Sequence, residues 1–419
     1  MHIVCVHRGM YPERIGGTYS YIYELYKRLA GLGHRIDVIA STRRAQARPP
    51  FELEGIRVHE YAIRRVNPVS STLQHLANTT SMCERLASES PVDVLTIHES
   101  QLGHRLSVGT FGRTVCQLPT FHAPVFLEFR FDTAWRLRSE PSALRRMVTR
   151  LSEPPLEYWQ RRFERDVLEA AHDILVLSRY SRGHIEREFP SVDLGRVSII
   201  PSGVDTGRFR PAADRSEVRA RLGLEDETLH LLTVRKLAPR MGLEQLVNAM
   251  PEIVRAAAAK GREVRLTICG SGSLKATLES LIERLGLEGT VTLAGRVTDD
   301  DLVGHYQAAD LFVLPTTDME GFGISTVEAL STNTPVVGTP AGATPEILAA
   351  IDPRLLTLDT SSGAIATAVI EWLDWRTEET GTTRYRDEVL AKYDWDRVAE
   401  RVEAYYAEKS ESFARSRSG

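Results

Sequence analysis

The sequence predicts an α/β protein of two domains, each a doubly wound parallel sheet. Its 419 residues are more than one ordinary core accommodates and suggest two domains of ~200 residues. The chain opens with a strand, a glycine turn, a helix and a second strand, a unit that implies parallel pairing. After a Gly-, Pro- and Asp-rich stretch at 201–214 the same alternation begins again, so that stretch is the expected linker.

In chain order, HIVCVH is the first strand, MYPERIGG its loop, and 18–32 an amphipathic helix followed by the strand GHRIDVIAS. Gly16 and Gly17 lie at the carboxyl end of the first strand, the edge where such sheets bind ligands. No GxGxxG follows this strand, which argues against a dinucleotide dehydrogenase. GIRVHEYA is a further strand, 70–87 a helix, DVLTIHES a strand ending at His98 and Glu99, and TVCQLPTFHAP a strand carrying His122. Of the two histidines, His122 reads as functional and His98 as a structural residue. The 142–171 segment is arginine-rich and broken by Pro154-Pro155, which predicts a helical pair or an insertion. Its alternating Arg and Glu favour a solvated face over docking on an anionic membrane, and the second reading stays open.

HDILVLSRYSRGHIEREFP and RVSIIPSGVD complete the first half. The second half runs LHLLTVRKLAPRMG, a helix to 259, EVRLTICGSGS, a helix to 285, TVTLAGRV and another helix. Strand ends there carry Arg235, Lys236 and Arg240, then Gly270 and Gly272, then Gly295 and Arg296, a basic, glycine-lined edge suited to a diphosphate. DPRLLTLD reads as a short strand, SSGAIATAVIEWLDW and YDWDRVAERVEAYYAEKS as helices, and the weakly apolar end as a disordered tail. The expected domains are 1–203 and 204–391, with a helix at about 392–410 returning to the first and 411–419 disordered.

The stretch DLFVLPTTDMEGFGISTVEAL at 310–330 organises this half. A strand ends at Pro315, a loop carries Glu320, and Gly321 and Gly323 open a helix that contains Glu328. Glu328 lies about two turns into that helix at ~3.6 residues per turn, so both acids can face one crevice. The glycines leave the helix N-terminus and the positive end of its dipole open to an anion. A capped surface helix remains the alternative on spacing alone.

Composition narrows the function classes. A net charge of −4 gives no global attraction to nucleic acid. The four cysteines show neither CxxC nor metal-ligand spacing, which points to a reducing compartment and no zinc. The N-terminal strand lacks the apolar core of a signal peptide, and no apolar run approaches the ~20 residues that span a bilayer, so a cytoplasmic protein is expected, with peripheral contact at the inner face of the membrane the remaining option.

GGTYSYIYELYKRLAGLGHRIDVI, VSIIPSGVDTGRF, LTICGSGSLKATLESLIERLGLEGTVTLAGRV and EGFGISTVEALSTNTPVVGTPAGATPEIL together resemble the retaining glycosyltransferases of family 4, over nearly the whole chain. The resemblance implies a GT-B fold: two Rossmann-like domains facing across a cleft, a nucleotide-diphospho-sugar in the second and an acceptor mainly in the first, with no cofactor and no metal. It implies that Glu328 holds the ribose and Glu320 the donor sugar hydroxyls. Backbone amides at Gly321, Phe322, Gly323 and Ile324 are expected near the sugar and diphosphate, and main chain at Val297 near the base. Gly17, supported by Gly16, matches a glycine at the diphosphate, and His122 a histidine facing the sugar. His122, Glu320 and Lys236 are thus expected nearest the reaction, with Arg235, Arg240 and Gly270 lining the donor site.

One departure stands out. Many members read G-R-L, three residues, then K-G, where this chain reads RKLAPRMG, so Lys236 takes the arginine position and Met241 that of the lysine. Arg240 or Arg235 is expected to supply the missing charge. The acceptor, a sugar, aminocyclitol, lipid-linked or other hydroxyl compound, is not specified. A sugar-nucleotide epimerase, a phosphorylase or a noncatalytic sugar-nucleotide-binding protein are the rival readings.

Overall fold

The structure, a computed structural model, describes residues 1–14, 16–64, 67–139, 142–376 and 381–418. It divides into two compact units, Met1–Ser202 with Trp395–Gly419, and Gly203–Asp394.

The first unit contains β1 (His2–His7), α1 (Gly17–Gly31), β2 (Arg35–Thr42), β3 (Phe51–Leu53), β4 (Ile56–Ala62), α2 (Pro68–Glu89), β5 (Val94–Ile97) and α3 (Ser100–Val108). There follow β6 (Cys116–Gln117), β7 (Thr120–Phe121), α4 (Val125–Ser139), α5 (Ala143–Ala170), β8 (Ile174–Val176), α6 (Arg179–Glu188) and β9 (Val197–Ile199). A six-stranded sheet has the order β3-β4-β2-β1-β5-β6, parallel except at β3, and β7-β8-β9 form a second sheet. β1 is buried at every residue, as a strand covered on both faces must be. It lies between β2 and β5, so the strand order reverses beside it.

Three features differ from the sequence reading. The TVCQLPTFH segment is two short strands in different sheets, because Pro119 has no N–H to give a ladder and its carbonyl instead accepts from Leu175 N–H at 3.0 Å. The helix α5 continues through Pro154 and Pro155, held by packing on α3 and α4. The expected disordered tail is helical. Phe413 packs on His172 with ring centroids 5.4 Å apart, and Arg417 donates to Thr114 O at 2.7 Å. These contacts anchor residues whose composition alone does not demand order.

The second unit contains α7 (Arg215–Arg221), β10 (Leu229–Val234), α8 (Leu243–Ala259), β11 (Val264–Cys269), α9 (Lys275–Arg284), β12 (Val291–Gly295), α10 (Asp299–Ala308) and β13 (Leu311–Leu314). It continues with α11 (Ile324–Ser331), β14 (Val336–Gly338), α12 (Thr344–Ile351), α13 (Ser362–Trp375) and α14 (Arg384–Lys392). Its five strands run β12-β11-β10-β13-β14, all parallel, and the order reverses beside β10. The DPRLLTLD segment forms a 3-10 turn at Pro353–Leu355 and a single bridge from Leu356 to Gly338 rather than a strand.

The last helix, α15 (Trp395–Ser418), belongs to the first unit. Asp396 accepts from Arg28 Nε at 2.6 Å, and Asp173 accepts from Tyr405 at 2.9 Å and pairs with Lys409 at 3.1 Å. Among the described residues no helix is long and apolar enough to cross a membrane.

A buried carboxylate ties the amino-terminal ends of the first sheet together. Asp37 on β2 is wholly buried and receives His2 Nε2 from β1 at 2.9 Å, His59 Nε2 from β4 at 2.6 Å and Arg35 Nε at 2.8 Å. Burial alone would raise the Asp37 carboxyl, but hydrogen bonds from His2, His59 and Arg35 and the charge of Arg57 hold it well below the usual carboxylate range. Its stabilisation is therefore complete above the unfolded value of ~3.9 and declines as pH falls below it. Asp37→Ala strands buried donors and is expected to cost ~3–5 kcal/mol in chemical denaturation. Its deficit relative to the wild type should be constant above pH ~5 and shrink in more acid buffer; a deficit that grows with acid would contradict the assignment.

Candidate active site

In open parallel sheets, ligands bind where the strand order reverses, because connecting loops part to opposite faces there. In the second unit that point lies between the carboxyl ends of β10 and β13.

The chain leaves β10 at Arg235 and turns at Pro239–Met241 into Gly242, whose φ of 70° starts α8. A Cβ at Gly242 would lie 1.6 Å from Pro315 O, so only glycine lets α8 begin against the end of β13. Thr317 N–H then donates to Arg240 O at 3.0 Å, joining the two loops. From the other side, Ala343 N–H donates to Glu320 O at 2.8 Å, and a Cβ on Gly342 (φ 63°) would lie 2.3 Å from that same oxygen. Glu320 is thus fixed through its backbone.

Its side chain is fixed as well. Glu320 Oε2 accepts from Arg235 Nη2 and from Thr316 Oγ1, the latter at 3.2 Å. The same Arg235 nitrogen donates to Thr316 Oγ1 at 2.6 Å and lies 3.1 Å from Met241 Sδ. Arg235 is only 8% exposed and Glu320 14%. Both arginines expected to supply the charge missing at Met241 have partners in the structure. Arg235 is engaged by Glu320, and Arg240 Nη1 donates to Met319 O at 3.0 Å. The Lys236 side chain is exposed and, among the described residues, makes no ion pair or hydrogen bond.

Gly270 is also fixed by the protein's own backbone. At φ 146° its Cβ would fall 1.8 Å from Arg235 O, and one on Gly272 2.3 Å from Leu237 O. These glycines let two loops of the protein meet, with Arg235 N–H donating to Cys269 O at 2.9 Å and Leu237 N–H to Ser271 O at 3.1 Å. Gly270 N–H in turn donates to Gly295 O at 2.7 Å, and half-buried Val297 follows in the loop toward α10.

The helix α11 starts at Gly323 in the left-handed region, φ 97°. Its first backbone donors are Thr326 and Val327, both to Gly323 O. Among the described residues the amides of Phe322, Gly323 and Ile324 have no backbone acceptor, which leaves them for an anion or for water. Gly321 leads into the turn, and buried Phe322 is held against Tyr393 with ring centroids 5.6 Å apart. On the body of the helix, Glu328 accepts from the hydroxyl of buried Tyr306 at 2.7 Å. Burial and the Glu328 charge push that hydroxyl's pKa far up, so it stays a donor and orients the carboxylate.

In the first unit the reversal beside β1 brings His122 together with His98 and with His7 and Glu99, to which the sequence reading gave no functional role. His7 ends β1, donates from Nδ1 to Gly9 O at 2.9 Å, and has Nε2 3.6 Å from Glu99 Oε1, while Arg8 Nε lies 2.9 Å from Glu99 Oε2. His98, read as structural, is indeed buried, but its Nδ1 lies 2.9 Å from His122 Nε2. Its Nε2 meets the Tyr26 hydroxyl at 2.9 Å. Tyr21 packs edge-on to His122 at 5.1 Å. Burial, with the charge of His7, pushes His122 down to about 3, and burial with both neighbouring histidines takes His98 well below its usual value. Both rings are therefore neutral at pH 7 and share one proton across the His98–His122 bond. The signal available in the sequence was position: His7, His98 and Glu99 all stand at or just beyond the carboxyl ends of β1 and β5. Gly16 (φ 148°) caps α1 and Gly17 begins it, both exposed.

Two family models match the chain: Glycosyltransferase Family 4 over residues 15–208 and Glycosyl transferases group 1 over 214–385. A GDP-mannose-dependent alpha-(1-6)-phosphatidylinositol monomannoside mannosyltransferase of Mycobacterium tuberculosis is 32% identical over 238 residues, covering 55% of this chain and 60% of that protein. The match thus spans less than two thirds of that relative's length. A D-inositol 3-phosphate glycosyltransferase of Kineococcus radiotolerans is 28% identical over 340 residues, 78% of this chain and 73% of its own. Among solved structures, the sucrose-phosphate synthase of Thermosynechococcus elongatus superposes with a TM-score of 0.75 at 19% identity, over 97% of this chain and 98% of that one. With two parallel-sheet units of this topology, the fold is GT-B. The two models together take in all of 15–385 except the linker between them, and the chain belongs to the family 4, group 1 glycosyltransferases.

Proposed function

We propose that the chain is a retaining glycosyltransferase that moves a hexosyl or N-acetylhexosaminyl group from a UDP- or GDP-linked donor to a hydroxyl of a small-molecule, glycolipid or oligosaccharide acceptor, in the cytoplasm and without a metal ion. The observation that carries this reading is the immobilised Glu320 beside the unfilled amides of α11. A carboxylate held by Arg235 and Thr316 can accept sugar hydroxyls in one geometry, while the amides and Lys236 meet the diphosphate. The relatives' names, with GDP-mannose and phosphatidylinositol or inositol phosphate in them, favour a hexose donor and a polyol-bearing acceptor.

Retention through front-face attack asks little covalent chemistry of the protein. As the bond from the anomeric carbon to the diphosphate oxygen breaks, positive charge develops on the sugar and negative charge on the leaving group. Lys236 and the amides of Phe322, Gly323 and Ile324 stabilise the latter, being oriented beforehand. The departing phosphate oxygen takes the proton of the acceptor hydroxyl. Glu328, oriented by Tyr306, holds the ribose, and main chain near Val297 the base. His122, kept neutral by burial, offers the sugar a hydrogen bond without charge.

An epimerase of the same fold is the second reading. Incubation with a panel of nucleotide sugars separates the two: release of UDP or GDP that depends on an added acceptor supports transfer, interconversion of donors without acceptor supports epimerisation, and binding without turnover refutes both.

Glu328→Gln removes the anionic acceptor and is expected to weaken nucleoside diphosphate binding ~10-fold by calorimetry. His122→Ala should leave that affinity within ~2-fold and lower turnover ~10²-fold. With His122 titrating near 3, its neutral form is complete above about pH 4, so kcat/KM should show no acid limb near pH 6.5. A limb there that disappears in His122→Asn would overturn the neutral assignment. His98→Ala frees the His122 ring and should reduce kcat more than it raises KM, with Tyr26→Phe a milder version of the same change.

A further inference from the structure

Helix α5 carries a continuous apolar stripe that no described residue covers. Leu144, Met147, Leu151 and Tyr158 are 66%, 53%, 70% and 61% exposed, and Pro154 and Pro155 lie between them, also exposed. At ~100° per residue all six fall within an arc of roughly 100°. Trp159, half exposed, borders the stripe with Arg162 over its ring at 5.7 Å. The opposite side, with Glu164, Val167 and Leu168, is buried in the unit. The helix is therefore amphipathic twice: one face builds the core and the other offers large apolar groups to solvent.

The charges around the stripe are of one sign at its amino-terminal end. Arg145, Arg146 and Arg150 lie there with no acidic residue from 143 to 151, in a chain whose net charge is −4. Arg161 and Arg162 stand near the other end. There Arg161 pairs with Glu188 at 3.4 Å and Arg162 with Asp166 at 3.6 Å, so two-fold, antiparallel self-association through the stripe brings one copy's Arg145–Arg150 run against an end whose carboxylates are already paired and offers that run no anionic partner. A surface that is apolar at depth and anionic at its boundary satisfies both features. Aromatic Tyr158 and Trp159 suit that boundary, each with an apolar body and a polar tip.

We propose that this face of α5 docks on the surface of an anionic lipid bilayer, with Leu144, Met147 and Leu151 immersed below the headgroups and the arginines among the phosphates. The contact is peripheral and reversible, because one short stripe supplies limited apolar area. It stands independently of the donor site, which lies in the other unit, and it replaces the solvated face that alternating Arg and Glu suggest.

The test is co-sedimentation of the full chain with vesicles of phosphatidylcholine alone or with phosphatidylglycerol added. The wild type should sediment with the anionic vesicles, weakening as salt rises, and stay in solution with the neutral ones. The pair Leu144→Glu, Leu151→Glu should lose ~10-fold or more of the binding, and Arg145→Glu, Arg150→Glu should abolish the preference for phosphatidylglycerol. Every substituted side chain is exposed, so melting temperature and nucleoside diphosphate affinity should stay at wild-type values in both variants. Wild type that remains in solution with anionic vesicles at low salt, or charge-reversed variants that bind unchanged, overturns the proposal. So does a wild-type dimer in light scattering that Leu151→Glu dissociates, since the stripe would then be covered by a second copy.

Discussion

Each unit reverses the order in which its chain adds parallel strands, beside β1 in the first and beside β10 in the second, and the chemistry follows from that reversal. Loops on either side leave toward opposite faces, and the strand ends between them are left open. The residues at those ends are His7, His98 and Glu99 in one unit and Arg235 and Thr316 in the other. None was placed by local propensity; the topology makes strand-end polar groups cheap to expose to a ligand and costly to bury without partners.

The partners they find explain the character of each crevice. In the second unit a guanidinium and a carboxylate are held together in one geometry, both largely withdrawn from solvent. In the first unit the buried groups are neutral imidazoles and phenols. Desolvation there opposes charge, so Tyr26, His98 and His122 form a hydrogen-bonded chain that orients rather than attracts. The second unit's crevice carries instead the exposed Lys236 side chain and the open start of α11.

Much of this was legible in the sequence, because strand-loop-helix grammar and the position of glycines report topology directly. The strands β10 to β13 and the Glu320–Glu328 helix could be read from periodicity and from Gly323. What could not be read were pairings across the fold. That Arg235 reaches Glu320, that Asp37 gathers His2 and His59, and that His98 lies on His122 depend on side chains brought together from distant positions. Glycines need the same knowledge: the carbonyl that a Cβ on Gly270 would meet belongs to Arg235, far away in the chain. The tail was misread because composition does not register anchoring contacts such as Phe413 on His172.

The exchange at Met241 shows how such pairings bear on function. A lysine there would bring an ammonium to the spot beside the Arg235 guanidinium, and two cations in one largely buried place repel. With methionine at 241 the thioether lies 3.1 Å from Arg235 Nη2 and the place holds one cation only. That cation is balanced by Glu320, so it fixes the carboxylate without adding net charge. Under the proposed function the Lys236 side chain, exposed and unengaged among the described residues, would then meet the leaving diphosphate together with the α11 amides. A site built this way relies on oriented dipoles more than on cations. Such dipoles act at short range in a dry crevice, so donor affinity should respond less to ionic strength than in a site with a second free cation.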